Sequence, residues 1–125
     1  MSYKMILLML MSELAEPNGR VPLRSLAEGF QQFFVKRSLE GKTEENPNRL
    51  DHGTLASRAT RKWEQVIREQ PVHYLTESFV IDEGATVRWA PRIWNLWDAD
   101  LEGEIIAASS DRLIRYFNRN VPGGF

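Results

Sequence analysis

Apolar positions crowd the start of the chain. Residues 3–16, "YKMILLMLMSELAE", hold no glycine or proline and place apolar side chains on almost every side of a helical wheel, which predicts a helix buried on several faces. "PNGR" at 17–20 supplies Pro17, Asn18 and Gly19, a stop followed by a tight turn. In "VPLRSLAEGFQQFFVKR", Pro22 suits a first helical turn, and Leu23, Leu26, Ala27, Phe30, Phe33 and Phe34 recur at helical spacing. The spacing predicts a second, amphipathic helix that packs through its phenylalanines, with Val21 in front of it as a very short strand.

Polar residues then dominate. Residues 39–53, "LEGKTEENPNRLDHG", read as a long, exposed connection. A third helix is expected next, with Leu55, Ala59, Trp63, Val66 and Ile67 on one side and Pro71 as its end; "VHYLTE" adds at most a half-turn. "SFVIDEGATVRWAP" carries two β-rich runs around Asp82-Glu83-Gly84, a hairpin pattern closed by Pro91. "RIWNLWDAD" reads as a short helical turn bearing Trp94 and Trp97. Asp98 or Asp100 can cap a last helix whose first turn holds Glu102 and Glu104 and whose later turns hold Arg112, Arg115 and Arg119, as the macrodipole prefers. Leu101, Ile105, Ala108, Leu113, Tyr116 and Phe117 form its apolar stripe, and "NVPGGF" is expected to fray.

The order is helix, helix, helix, hairpin, helix, in an α+β chain that is mainly helical. Over about residues 3–90 this order resembles the winged-helix family of DNA-binding domains, in which three helices precede a two-stranded wing. The resemblance implies a three-helix core, a β-hairpin wing and a third helix that reads DNA, with a helical extension at 91–119 and a tail at 120–125. One departure is plain: the helix-turn-helix pattern uses a turn of about 3–4 residues, whereas residues 39–53 intervene here. The 125 residues fit a single domain.

Charge narrows the choice of surface. The formal net charge is −1, so no global field draws the chain to DNA or to an anionic membrane, and any nucleic-acid contact must come from a local patch. Residues 36–75 carry eight basic and six acidic side chains, against five and eight in 76–125; the basic excess is central. With no cysteine in the chain, disulfides and thiolate sites are excluded and a cytoplasmic setting is expected. The apolar run 5–11 is far shorter than the roughly 20 residues a membrane helix needs, so no membrane partner is expected.

On the third helix, Ser57, Arg61, Glu64 and Arg68 turn away from the apolar side, with Arg58 and Gln65 beside them. Ser57, Arg58, Arg61, Lys62, Gln65 and Arg68 are residue types suited to phosphate and base-edge contacts; the competing reading is a solvated face on which Glu64 and Glu69 make local pairs. Asp82 and Glu83 at the hairpin tip are expected to repel a phosphate backbone, which leaves Arg88 as the wing's only cation. Trp63, Trp89, Trp94 and Trp97 offer aromatic faces on which single-stranded bases could stack, but tryptophans at helical and strand spacing in a domain of this size are more often core or interface anchors. Trp94 and Trp97, with Leu101 and Ile105, form a candidate surface for a protein partner or a homodimer, although the last helix could equally fold back onto residues 3–16.

Enzymatic chemistry finds little support. His52 and His73 lack a neighbouring ligand pattern, so no metal site is expected. "EGK" at 40–42 has the Glu-x-Lys spacing of some nucleases but lies in a loop without an acidic partner on a strand. No glycine-rich phosphate loop precedes a helix, and neither a cofactor nor a small-molecule substrate is evident. The sequence therefore leads to a small, non-enzymatic DNA-associated module, a regulator or an accessory domain of a DNA-processing machine; the alternative is an adaptor that uses the tryptophan-bearing C-terminal region.

Overall fold

The computed structural model describes residues 2–42, 58–76 and 78–125. Helix α1 (Tyr3–Leu14) leads through the turn at Pro17–Gly19 into strand β1 (Arg20–Pro22) and helix α2 (Leu23–Leu39). After the connection come α3 (Thr60–Ile67), a π-type turn (Arg68–Val72) and α4 (His73–Leu75). Strands β2 (Val80–Asp82) and β3 (Thr86–Trp89) form the hairpin; α5 (Pro91–Trp94) and the long α6 (Ala99–Asn120) complete the chain. The fold is α+β and mainly helical, with one small antiparallel sheet.

The expected strand at Val21 is real. β1 pairs with β3, which gives the sheet order β1-β3-β2. Register places Val21 opposite Val87 and Val80 opposite Trp89, with all four buried, while Arg20, Arg88 and Ile81 share the outer row. The strand is entered through Gly19, whose φ of 78° suits glycine; a Cβ there would lie 2.8 Å from the Trp94 ring.

α1 is the central post. Tyr3, Ile6, Leu7 and Met11 are buried, and α1 packs against both α2 and α6. α2 packs on α3 through Phe30 and Phe34, which meet Trp63 at centroid distances of 5.4 and 5.5 Å, the second pair stacked. One core joins α1, α2, α3, the hairpin and Leu113, Phe117 and Val121 from the end of the chain. Of the two expectations for α6, the structure shows folding back onto α1. Its buried residues are Ser109, Leu113 and Phe117, so the stripe runs through Ser109 rather than Ala108, which is exposed. Asp98 caps α6 by accepting a 2.8 Å hydrogen bond from the Leu101 amide.

Two expectations need correction. Pro71 does not end the third helix. It sits inside the π-type turn, buried, and the chain continues into α4. A proline inside an α-helix removes one i→i−4 hydrogen bond and its ring clashes with the carbonyl four residues earlier; the wider turn relieves that clash, and burial of Pro71, Val72 and Leu75 holds the segment on the core. The tail at 120–125 does not fray. Val121 is buried, and Arg37, itself buried and 3.9 Å from the centroid of Phe117, donates hydrogen bonds to the carbonyls of Gly124 and Phe125 at 2.9 and 3.2 Å.

Candidate nucleic-acid interface

α3 is short, but its two sides are sharply divided. Trp63, Val66 and Ile67 are buried, and the period of 3.6 then turns Arg61, Lys62 and Gln65 outward, all exposed. Arg61 and Lys62 meet no acidic partner among the described residues. Gln65 donates to Glu69 at 3.2 Å, which occupies one of the two acids on this side; Glu64 is half-buried. The expected start of the helix at Leu55 and the candidate Ser57 lie outside the described residues, as do Arg49, His52 and the acids Glu44, Glu45 and Asp51.

The other two arginines of the patch are already engaged. The Arg58 guanidinium lies 4.5 Å from the centroid of the buried Trp63 ring and donates to the Tyr3 hydroxyl at 3.4 Å, while its carbonyl accepts from Gln31. It closes the solvent side of the aromatic cluster. Arg68 reaches the hairpin: Nη2 donates to the Gly84 carbonyl at 2.6 Å and Nε lies 3.5 Å from Asp82 Oδ2. This clamp ties the C-terminal end of α3 to the β2–β3 turn.

The hairpin's charge differs from what the sequence led us to expect. Glu83 accepts from Arg20 Nε at 2.8 Å and from the Thr86 hydroxyl at 3.1 Å, and lies 3.1 Å from Arg88 Nε. Arg20 and Arg88 are opposed across β1 and β3, a repulsive placement that the bridging carboxylate relieves. Its hydrogen bond with Arg20 holds the Glu83 carboxyl below the usual carboxylate range and raises Arg20 above its ordinary value. With Asp82 facing Arg68, both tip acids are neutralised within the fold, and Arg88 is not the only cation beside them. Around the β2–β3 turn, three arginines, Arg20 and Arg88 of the sheet and Arg68 just after α3, thus face the two carboxylates of Asp82 and Glu83.

Trp94 and Trp97 are half-buried. Trp97 packs on both Trp89 and Trp94 at 5.0 Å between centroids, and Trp94 covers Gly19. Much of their surface is thus used inside the chain. Leu101 and Ile105 are also half-buried, whereas Leu96 between the tryptophans is 72% exposed. Sequence reasoning missed Leu96, and it missed Arg20 and Arg68 as partners of the hairpin acids Glu83 and Asp82.

His73 lies on α4 beside Tyr74, ring against ring at 5.2 Å. Among the described residues no group of three or more histidine, aspartate or glutamate side chains could hold a metal ion, and no helix is long and apolar enough to cross a membrane. Comparison with known proteins yields no match: no family model, curated protein or solved structure matches the chain.

Proposed function

We propose that the chain is a non-enzymatic, cytoplasmic DNA-associated module of winged-helix type, a regulator or an accessory domain of a DNA-processing machine, that docks on duplex DNA through α3 with the hairpin alongside. The observation that carries the reading is the outward face of α3, where Arg61 and Lys62 stand exposed and, among the described residues, without acidic partners, opposite the buried side of Trp63, Val66 and Ile67. A β2–β3 hairpin that follows three helices and pairs with β1 supports it, as does the neutralisation of Asp82 and Glu83, which removes the repulsion expected of the wing. Arg61, Lys62 and Gln65 make the contacts. Arg58 and Arg68 position them, one by packing on Trp63 and the other by clamping the hairpin.

Each phosphate contact releases counterions and contributes about 0.9 to the slope of log K against log salt. Duplex DNA binding, followed by anisotropy at several salt concentrations, is expected to weaken across sequences in Arg61→Ala/Lys62→Ala, with the slope falling by about two. Unchanged affinity in the folded double variant refutes the proposal.

A further inference from the structure

α1 and α6 do not close on each other along their whole length. Between them lies a cleft of about 290 Å³, walled by Met5 and Leu8 of α1, Ile105 of α6, Leu75 of α4 and Phe79 just before β2. Met5, Leu8 and Ile105 are half-buried and Phe79 is 40% exposed, so the walls keep apolar area that contact with a ligand would remove from water. Lys4 and Arg112 also line the cleft.

Those two cations decide what fits. Both are exposed, and among the described residues neither meets an acidic partner and no aspartate or glutamate lines the cleft. The Lys4 ammonium is 5.2 Å from the Tyr74 ring centroid, a contact that leaves it free to donate hydrogen bonds. Two like charges on one apolar cleft are best accommodated by an anion that pairs with both, and a carboxylate accepts from lysine and arginine together. The size excludes a partner helix, which with its side chains is about 10–12 Å across. It falls just below the range of roughly 300–1,000 Å³ usual for small-molecule sites, which restricts the ligand to a short chain or a single ring.

We infer that the cleft between α1 and α6 binds a small amphipathic carboxylate, with its apolar tail between Leu8 and Ile105 and its carboxylate between Lys4 and Arg112. This inference is independent of the DNA-binding reading and stands or falls on its own test. Leu75 belongs to the helical segment that continues α3 through the π-type turn, so an occupied cleft touches the same segment that presents Arg61 and Lys62.

The test is a titration of the intact protein with n-octanoate, octan-1-ol and octylammonium, read by calorimetry and by amide chemical shifts. Octanoate is expected to bind with shifts centred on residues 5–8 and 105–112. Octanol should bind at least tenfold more weakly and octylammonium more weakly still. Lys4→Ala/Arg112→Ala, both surface positions, is expected to lose at least tenfold in octanoate affinity and to retain the octanol affinity. Ile105→Trp, which fills the cleft, should abolish both. Equal binding of octanoate and octanol, undiminished octanoate affinity in the double alanine variant, no binding, or shifts centred elsewhere would each overturn the inference. The wild-type shifts decide the location even where Ile105→Trp fails to fold.

Discussion

Replacing Trp63 by alanine separates the two roles a tryptophan can have on a helix proposed to dock on DNA. The ring is fully buried, stacked on Phe34 and in edge or tilted contact with Tyr3 and Phe30 at 5.6 and 5.4 Å. Large-to-small changes at such sites cost about 3–5 kcal/mol. The packed aromatic pairs, each contributing about 0.5–1.5 kcal/mol, place Trp63→Ala toward the upper part of that range. Total stability for a domain is about 5–15 kcal/mol, so the variant keeps a fold only if the parent is well above the minimum. A domain of this size loses about 3–5 °C of Tm per kcal/mol, which for about 4–5 kcal/mol predicts a fall of about 12–25 °C.

Trp63→Phe sharpens the test. Nε1 of Trp63 has no hydrogen-bond partner among the described residues, and an unsatisfied buried donor costs about 1–3 kcal/mol. Removing it offsets much of the smaller cavity that phenylalanine leaves, and a loss below about 2 kcal/mol is expected from these opposing effects. Calorimetric melting, with duplex DNA binding measured on the same samples below Tm, reads both properties. A Trp63→Ala protein that melts within a few degrees of the parent while losing DNA affinity would refute the packing role and make the ring a base-stacking surface.

Acid should loosen the hairpin through Glu83. Its carboxyl titrates below the ordinary range when folded, so its stabilising effect is fully present above the unfolded value of about 4.3 and is lost as pH falls through the folded one; the Tm difference between the parent and Glu83→Gln is expected at pH 7 and should shrink steadily as pH is lowered below that unfolded value. Gly19→Ala should lower Tm and alter tryptophan fluorescence, because the left-handed conformation alone costs a Cβ-bearing residue about 1–2 kcal/mol and the new methyl meets the Trp94 ring; an unchanged melt contradicts this contact. Truncation after Asp100 should leave a chain without a cooperative melt, since burial of Leu113, Phe117 and Val121 at about 1.5–3 kcal/mol each is comparable to the whole stability of a domain.

Local patterns carried most of the fold. The i, i+3, i+4 recurrence from Leu23 to Phe34, the Val21 strand between a glycine turn and a proline, and an aspartate cap at 98 or 100, which the structure places at Asp98, all act within a few residues and could be read directly. Pro71 was misread because its stop rule assumes an α-helical ladder, whereas buried Pro71, Val72 and Leu75 favour a wider turn that carries the chain onward. The patch on α3 was legible as a helical face, yet the wheel could not tell a free arginine from an engaged one. Arg61 and Arg68 both point away from the apolar side, and only the distant turn at Gly84 distinguishes them. The tip of the hairpin was misjudged for the same reason: Glu83 is neutralised by Arg20, which lies far off in sequence and arrives beside it through the pairing of β1 with β3.

Amide chemical shifts recorded while duplex DNA is added to the intact protein test the central claim most directly. The account predicts perturbations centred on Arg61, Lys62 and Gln65, extending to the turn at Glu83–Ala85, and diminishing as salt rises. Perturbations centred on Trp94–Trp97 or on the Arg112–Asn120 stretch of α6, with Arg61 to Gln65 unmoved at saturating DNA, would contradict it.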